Sequence, residues 1–255
     1  MSEALVCLEV AIAGGLDDDE NLALAASLAE SLDDYRSAAP RWETLAARDP
    51  DAAGPAVRLG LNLWQRGLIE QAAAQLDAAA ARFPDDPTAL AAWAEFRLER
   101  GDASALETLV AARALAPGEI GLRLREASWR RRLGAPNDAV TLLSALTPAE
   151  QARPEVTREL AAAWLELDRP ERAAEAWEAL IAANLVDPVT GRVDSDRSRA
   201  AMLEAAAAWI EAGEPARAAP WLDHCEPFAD REELARIAEL RGRVASGEDS
   251  PPPSP

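Results

Sequence analysis

The stretch AGPAVRLGLNLWQRGLIEQAAAQLDAAAARFPDD, residues 53–86, decides how the whole chain reads. It holds two runs of strong helix formers. Arg66-Gly67 separates them and Phe83-Pro84 ends the second. Proline suits such an ending because it has no N–H to donate and clashes with the preceding helical turn. At about 100° per residue, Val57, Leu59, Leu61, Leu63 and Trp64 spread over most of the first helix's circumference. Arg58, Asn62, Gln65 and Arg66 occupy the remaining arc. An apolar face that wide is buried against neighbours on two sides. One helical hairpin cannot hide it alone, whereas stacked hairpins can.

Outward from this stretch the same punctuation recurs. Turn marks stand at Leu32-Asp33-Asp34, Arg66-Gly67, Arg100-Gly101-Asp102, Leu133-Gly134, Leu167-Asp168 and Ala212-Gly213-Glu214. The steps from 67 to 101, 134 and 168 are 34, 33 and 34 residues, and the last step, to 213, is 45. Proline marks lie between them, at Asp49-Pro50, Phe83-Pro84, Ala116-Pro117, Thr147-Pro148 and Asp187-Pro188. A fixed period of this size is the signature of a stacked repeat. Alternating β-branched or aromatic runs, the mark of strands, are missing.

The residues resemble the tetratricopeptide repeat family, whose first helix carries a Leu-Gly pair and whose second carries small residues before a proline. In residues 53–86 these are Leu59-Gly60, Ala72, Ala79 and Pro84. Residues 19–52 match with Ala26, Ala38, Trp42, Leu45 and Pro50. Residues 87–119 match with Trp93-Ala94, Ala105, Leu109, Ala112 and Pro117. Residues 120–153 match with Ala127, Ala139 and Leu143, but Glu126 stands where leucine is expected and Arg130 where an aromatic is. Residues 154–198 supply Leu160-Ala161, Trp164, Ala173, Trp177 and Leu180. Residues 199–228 supply Ala205-Ala206, Trp209, Ala218 and Leu222. The resemblance implies an all-α, right-handed superhelical solenoid of about six helix-turn-helix repeats plus capping helices. Residues 1–18 read as an N-terminal helix or cap. Residues 229–246 read as a C-terminal capping helix, with Leu234, Ile237, Leu240 and Val244 on one stripe. Residues 247–255, rich in proline and serine, read as a disordered tail. The small residues let paired helices approach to about 8–10 Å, and Trp42, Trp93, Trp129, Trp164, Trp177 and Trp209 read as core fillers of the gaps.

Composition removes whole classes of chemistry. The 255 residues include 26 arginines, no lysine, one histidine (His224) and two cysteines (Cys7 and Cys225). That leaves no Schiff-base or phosphate-loop lysine and too few ligands for a His/Cys zinc site. No cofactor and no catalytic residue is expected. His224 and Cys225 are adjacent on a helix, so they point in different directions. The formal charge of −19 opposes nucleic acid and anionic membranes. The acidic balance is interrupted by residues 121–153, where six arginines meet three acids. No run is long enough to span a bilayer. The opening apolar stretch lacks the basic lead-in of a secretory signal, so a cytoplasmic location is expected.

The resemblance implies a concave groove lined by first helices that takes up a peptide or a partner helix. The groove slots carried over to this chain are Val57, Leu61 and Trp64, then Leu98, Leu124 and Arg131, then Arg158, Leu165 and Ile210. Trp64 is the natural anchor, since buried aromatics dominate interface energetics. The acidic rim would steer a basic partner. Arg123, Arg125, Arg130 and Arg132 flank an apolar side and read as arginines paired with neighbouring acids, whereas Arg131 shares a direction with Leu124 and Ser128. The segment Val186–Arg197 lacks the alternating acids of a calcium loop and reads as a solvated insertion. Two functions follow: a non-catalytic scaffold or adaptor binding a peptide or helix, or a regulatory sensor of a signalling peptide or small ligand anchored at Arg131.

Overall fold

The computed structural model describes residues 3–184 and 195–247. Among these residues there are α-helices and short 3-10 turns and no strand. The chain divides into two compact units, Met1–Leu122 and Arg123–Pro255. The first holds α1 (Glu3–Ala13), α2 (Asp19–Ser31), α3 (Tyr35–Arg48), α4 (Ala53–Gln65), α5 (Ile69–Arg82), α6 (Pro87–Glu99) and α7 (Leu106–Leu115). The division falls in the first turn of α8 (Ile120–Arg132). The second unit continues with α9 (Pro136–Ser144), α10 (Pro148–Gln151), α11 (Pro154–Glu166), α12 (Pro170–Asn184), α13 (Ser195–Glu211), α14 (Pro215–Cys225) and α15 (Arg231–Gly247). In the first unit each helix packs on the next, and α4 also packs on α6. In the second, α11 packs on α9 and α12, α13 on α12 and α14, and α15 on both α13 and α14.

One local device makes every hairpin. The second residue after the first helix takes a positive φ: Asp33 57°, Gly67 73°, Gly101 87°, Gly134 81°, Asp168 57° and Gly213 75°. The next residue's N–H then reaches back to a carbonyl in the last helical turn, as in Leu68 to Leu63 (2.9 Å), Ala135 to Arg130 (2.8 Å) and Glu214 to Trp209 (2.9 Å). This is the left-handed helix stop that glycine adopts at little cost and aspartate tolerates. It reverses the chain within three residues and sets the second helix antiparallel to the first.

Packing then joins hairpin to hairpin. Ala26, Ala38, Ala72, Ala127, Ala139, Ala173, Ala206 and Ala218 are completely buried. Around α2 and α3 a core of Leu22, Ala25, Ala29, Trp42 and Leu45 is closed by Leu5, Leu8 and Ile12 of α1 on one side and Leu59 of α4 on the other. Val57, Ala72 and Leu76 of the second hairpin share a core with Ala89, Ala92 and Phe96 of α6. In the second unit Trp177, Ile181, Met202, Trp209, Leu222 and Cys225 are closed by Ile237 and Leu240 of α15. Two tryptophans expected in the core, Trp93 and Trp164, are only half-buried. On α15, Leu234 is exposed and Val244 half-buried, so the buried stripe is shorter than its sequence suggests.

Three further readings meet the structure here. Glu126, at the expected leucine position, is buried, and Arg130 Nε donates to it at 2.7 Å while Arg130 Nη1 donates to Asp138 at 2.9 Å. A charge at that depth is tolerable because it is paired within its own helix turn. Of the insertion Val186–Arg197, residues up to 194 lie outside the described ones, and helix α13 already begins at Ser195. Gly247 still belongs to α15, and the rest of the expected tail lies outside the described residues.

Two pairs of measurements check this packing. A β-carbon on Gly60 would stand 2.6 Å from Leu76 Cδ2 and 2.7 Å from its Cγ, whereas one on Gly242 of α15 would meet nothing within 4 Å. Helix propensity favours alanine over glycine by about 1 kcal/mol, but overpacking a core costs about 1–3 kcal/mol. Thermal unfolding followed by circular dichroism should therefore show Gly60→Ala less stable than the parent chain and Gly242→Ala more stable. Burial pushes the Cys225 thiol up to about 11, while Cys7 is exposed. A thiol reagent at pH 8 should modify one cysteine, Cys7, in the native protein and the second only after denaturant is added.

Candidate functional site

The first helix of each hairpin carries the candidate binding face. In the first unit Leu61 and Trp64 are half-buried on α4. The Trp64 ring stands edge-on to Phe96 of α6, with centroids 5.4 Å apart and an interplanar angle of 87°. The Arg100 guanidinium lies 5.6 Å from the Phe96 ring centre. On the first helices of this unit, Ser27 of α2 and Arg58 and Gln65 of α4 are exposed. Two of the nine expected groove residues need correction: Val57 and Leu98 are only 1% and 4% exposed. Val57 lies in the core that its own partner helix α5 and the following first helix α6 share, so it is packed inside and not open to a partner.

In the second unit Arg158 and Leu165 are exposed on α11, with Ala162 half-buried between them at one-turn spacing. Leu124 of α8 and Ile210 of α13 are half-buried. Arg131 is committed elsewhere. Its Nε donates to Glu159 at 2.7 Å and its Nη1 to Glu166, both on α11. The hydrogen bond to Glu159, and then the one to Glu166, holds its guanidinium above the usual arginine range despite partial desolvation. Arg131 thus ties α8 to α11. Arg132 lies 3.8 Å over the Trp129 ring, and Arg130 is paired as described. The arginines of this stretch are largely engaged in contacts within the protein.

Sequence reasoning missed the polar ties that hold these helices in place. Glu30 of α2 accepts from Trp42 Nε1 of α3 (2.8 Å), Arg58 of α4 (2.8 Å) and the Asn62 amide of α4, so one carboxylate joins three helices. Asp77 of α5 accepts from Trp93 Nε1 (2.6 Å) and Arg97 (3.3 Å), both on α6. Glu178 of α12 accepts from Trp209 Nε1 of α13 (2.7 Å) and Arg217 of α14 (3.4 Å). In each case the same arginine also lies over the same indole, at 5.9, 5.2 and 3.3 Å from its centre. An indole N–H taken into an interface needs an acceptor, and the carboxylate that supplies one then needs a cation. The sole sequence-local hint was the one-turn spacing of Trp93 and Arg97; the other triads join residues far apart in the chain.

His224 is exposed and Cys225 buried, so the adjacent pair does not converge. Among the described residues no group of three or more His, Cys, Asp or Glu side chains is placed to hold a metal ion, and no helix is long and apolar enough to cross a membrane.

No family model matches the chain and no curated protein matches its sequence. Solved structures match its fold. A tetratricopeptide repeat protein from Parabacteroides merdae superposes with a TM-score of 0.58 at 15% identity, over 92% of this chain and 88% of its own. A thermophilic repeat protein of the same kind from Thermus thermophilus gives 0.56 at 20% identity, over 73% of this chain and all of its own. Yeast Tom70 gives 0.64 at 17% identity, over 83% of this chain but 44% of its own. At these identities the likeness is one of backbone architecture. With its six left-handed hairpin stops and stacked antiparallel helix pairs, the chain has the tetratricopeptide-repeat fold.

Proposed function

We propose that this protein is a non-catalytic interaction scaffold that takes up a peptide or a partner helix along the exposed faces of its first helices. The observation that carries the reading is the face of α11, where Arg158, Ala162 and Leu165 stand one turn apart and Leu165, an apolar side chain, remains 38% exposed beside the exposed Arg158. An apolar side chain beside an uncovered guanidinium offers both contact area and a charged handle, as interface anchors do. The first unit offers a second such place at Leu61 and Trp64. The net charge of −19 favours a basic partner through long-range attraction. Free cysteines suit a reducing compartment, and the proposal sets the protein in the cytoplasm. The rival reading, a regulatory sensor of a signalling peptide or small ligand, loses its anchor at Arg131, because Glu159 and Glu166 already occupy that guanidinium.

The test is affinity capture from the source cell, quantified by mass spectrometry, with the parent chain and the Leu165→Asp and Arg158→Glu variants. Both positions are exposed, so helicity should be unchanged. Partners captured by the parent should fall at least about fivefold with each variant, a loss on the order of 1 kcal/mol. Equal recovery of the same partners by all three proteins would remove α11 from the binding face. Trp64→Ala should weaken capture too. It also removes a ring contact worth about 0.5–1.5 kcal/mol, so its thermal stability has to be read alongside.

A further inference from the structure

We propose that the outer face of α1 is a separate docking surface, made for a basic amphipathic helix of a protein partner. At about 100° per residue, α1 has two distinct apolar sides. Leu5, Leu8 and Ile12 point one way and pack on the core of α2 and α3. Val6, Cys7, Val10 and Ala13 point the other way and are exposed. The exposure is large for aliphatic side chains, 42% at Val6 and 68% at Val10. The turn after α1 extends this strip. Gly15 takes a φ of 100°, and Leu16 N–H bonds back to the Ala11 carbonyl at 3.1 Å, which folds Leu16 onto the last turn of α1 with 57% of its surface still open. The outer helices of a repeat stack ordinarily present polar faces to water. A helix that is apolar on both sides is one that is covered on both sides.

Charge selects the occupant. The first 35 residues contain nine acidic residues and no basic one. Arginines from later helices reach into this region: Arg48 pairs with Asp17 and Asp19 at 2.9 and 3.0 Å, Arg58 pairs with Glu30 at 2.8 Å, and Arg41 acts electrostatically on Asp34. The region keeps an excess of acids, and Asp17, Asp18, Asp19 and Glu20, which follow Leu16 in the chain, are all exposed. A second copy of this chain would bring the same acids face to face, and an anionic lipid surface would be repelled as well. A helix with a stripe of leucine-like residues flanked by arginine or lysine satisfies both features. It would lie against α1 by ordinary side-chain interdigitation and keep its cations over the acidic rim. This surface shares no residue with the face of α11, so it stands or falls independently of the scaffold reading.

The probe is a synthetic 18-residue amphipathic helix of leucine and arginine, with an all-arginine peptide of equal charge as comparison. The full chain carries an environment-sensitive dye on Cys7, which is accessible while Cys225 is buried. The leucine–arginine peptide should bind saturably and shift the dye emission to the blue. Replacing Val6 and Val10 together by serine should weaken binding of the fluorescent peptide to the unlabelled chain at least about tenfold, the least that partial burial of two valines supplies. Leu165→Asp should change it less than about twofold. Three results would each overturn the proposal: a dye that does not respond to bound peptide, equal affinity for the serine variant, or equally tight binding of the all-arginine peptide. Sedimentation showing a dimer that the serine variant abolishes would also overturn it, by assigning the face to a second copy.

Discussion

Everything in this molecule depends on helices that are too apolar to stand alone. The first helix of a hairpin such as α4 has apolar residues on two sides, and its own partner covers just one of them. The hairpins before and after it cover the other, so Leu59 closes the core before it while Val57 joins the core after it. Close approach is possible because alanine or glycine stands at the crossings. Gly60 shows how close: its backbone leaves no room for a single methyl group against Leu76. The hydrophobic surface removed from water drives the association, and the left-handed residue at each hairpin stop makes the geometry repeat.

Apolar packing of this kind is permissive about register, and the polar ties narrow the choice. A leucine slides against alanines at small cost, whereas an indole N–H must meet an acceptor at hydrogen-bond distance or lose its partner altogether. Glu30, Asp77 and Glu178 each accept such an N–H together with a guanidinium, and each links one hairpin to the next. Arg131 makes the corresponding link from α8 to α11. Partly buried ion pairs add little net stability, but they are well suited to specifying one arrangement among several. The arginine-rich stretch is used in this way, so its positive charge is largely spent inside the protein.

What packing leaves uncovered is therefore informative. Stacking consumes Val57 and Leu98, and the acids of α11 consume Arg131. Besides single exposed side chains such as Leu24 and Phe228, what remains open includes Leu61 with Trp64, Leu165 with Arg158, and the outer side of α1. The last differs in kind from the others. It lies on a helix outside the hairpins, its side chains are mostly aliphatic, and the acids of its region outnumber the arginines that reach them.

The period, the helical class, the hairpin stops and the crossing alanines were legible in the amino-acid sequence, because each is a local property. Propensity, turn chemistry and a repeat of about 34 residues act within a few turns of one another. The candidate site was legible less evenly. Slot positions transferred by resemblance named Leu165 and Arg158, which are exposed, but also Val57 and Leu98, which are not. Whether a slot is open depends on how far the next helix leans over it, and that is settled by side chains on another hairpin. For the same reason Trp93 stayed half-open and Arg131 turned from a groove residue into a tie. The chain alone determined which helices form and where they reverse. Only the tertiary structure decided which of their faces are left for a partner, since burial and charge pairing depend on residues brought together from distant parts of the chain.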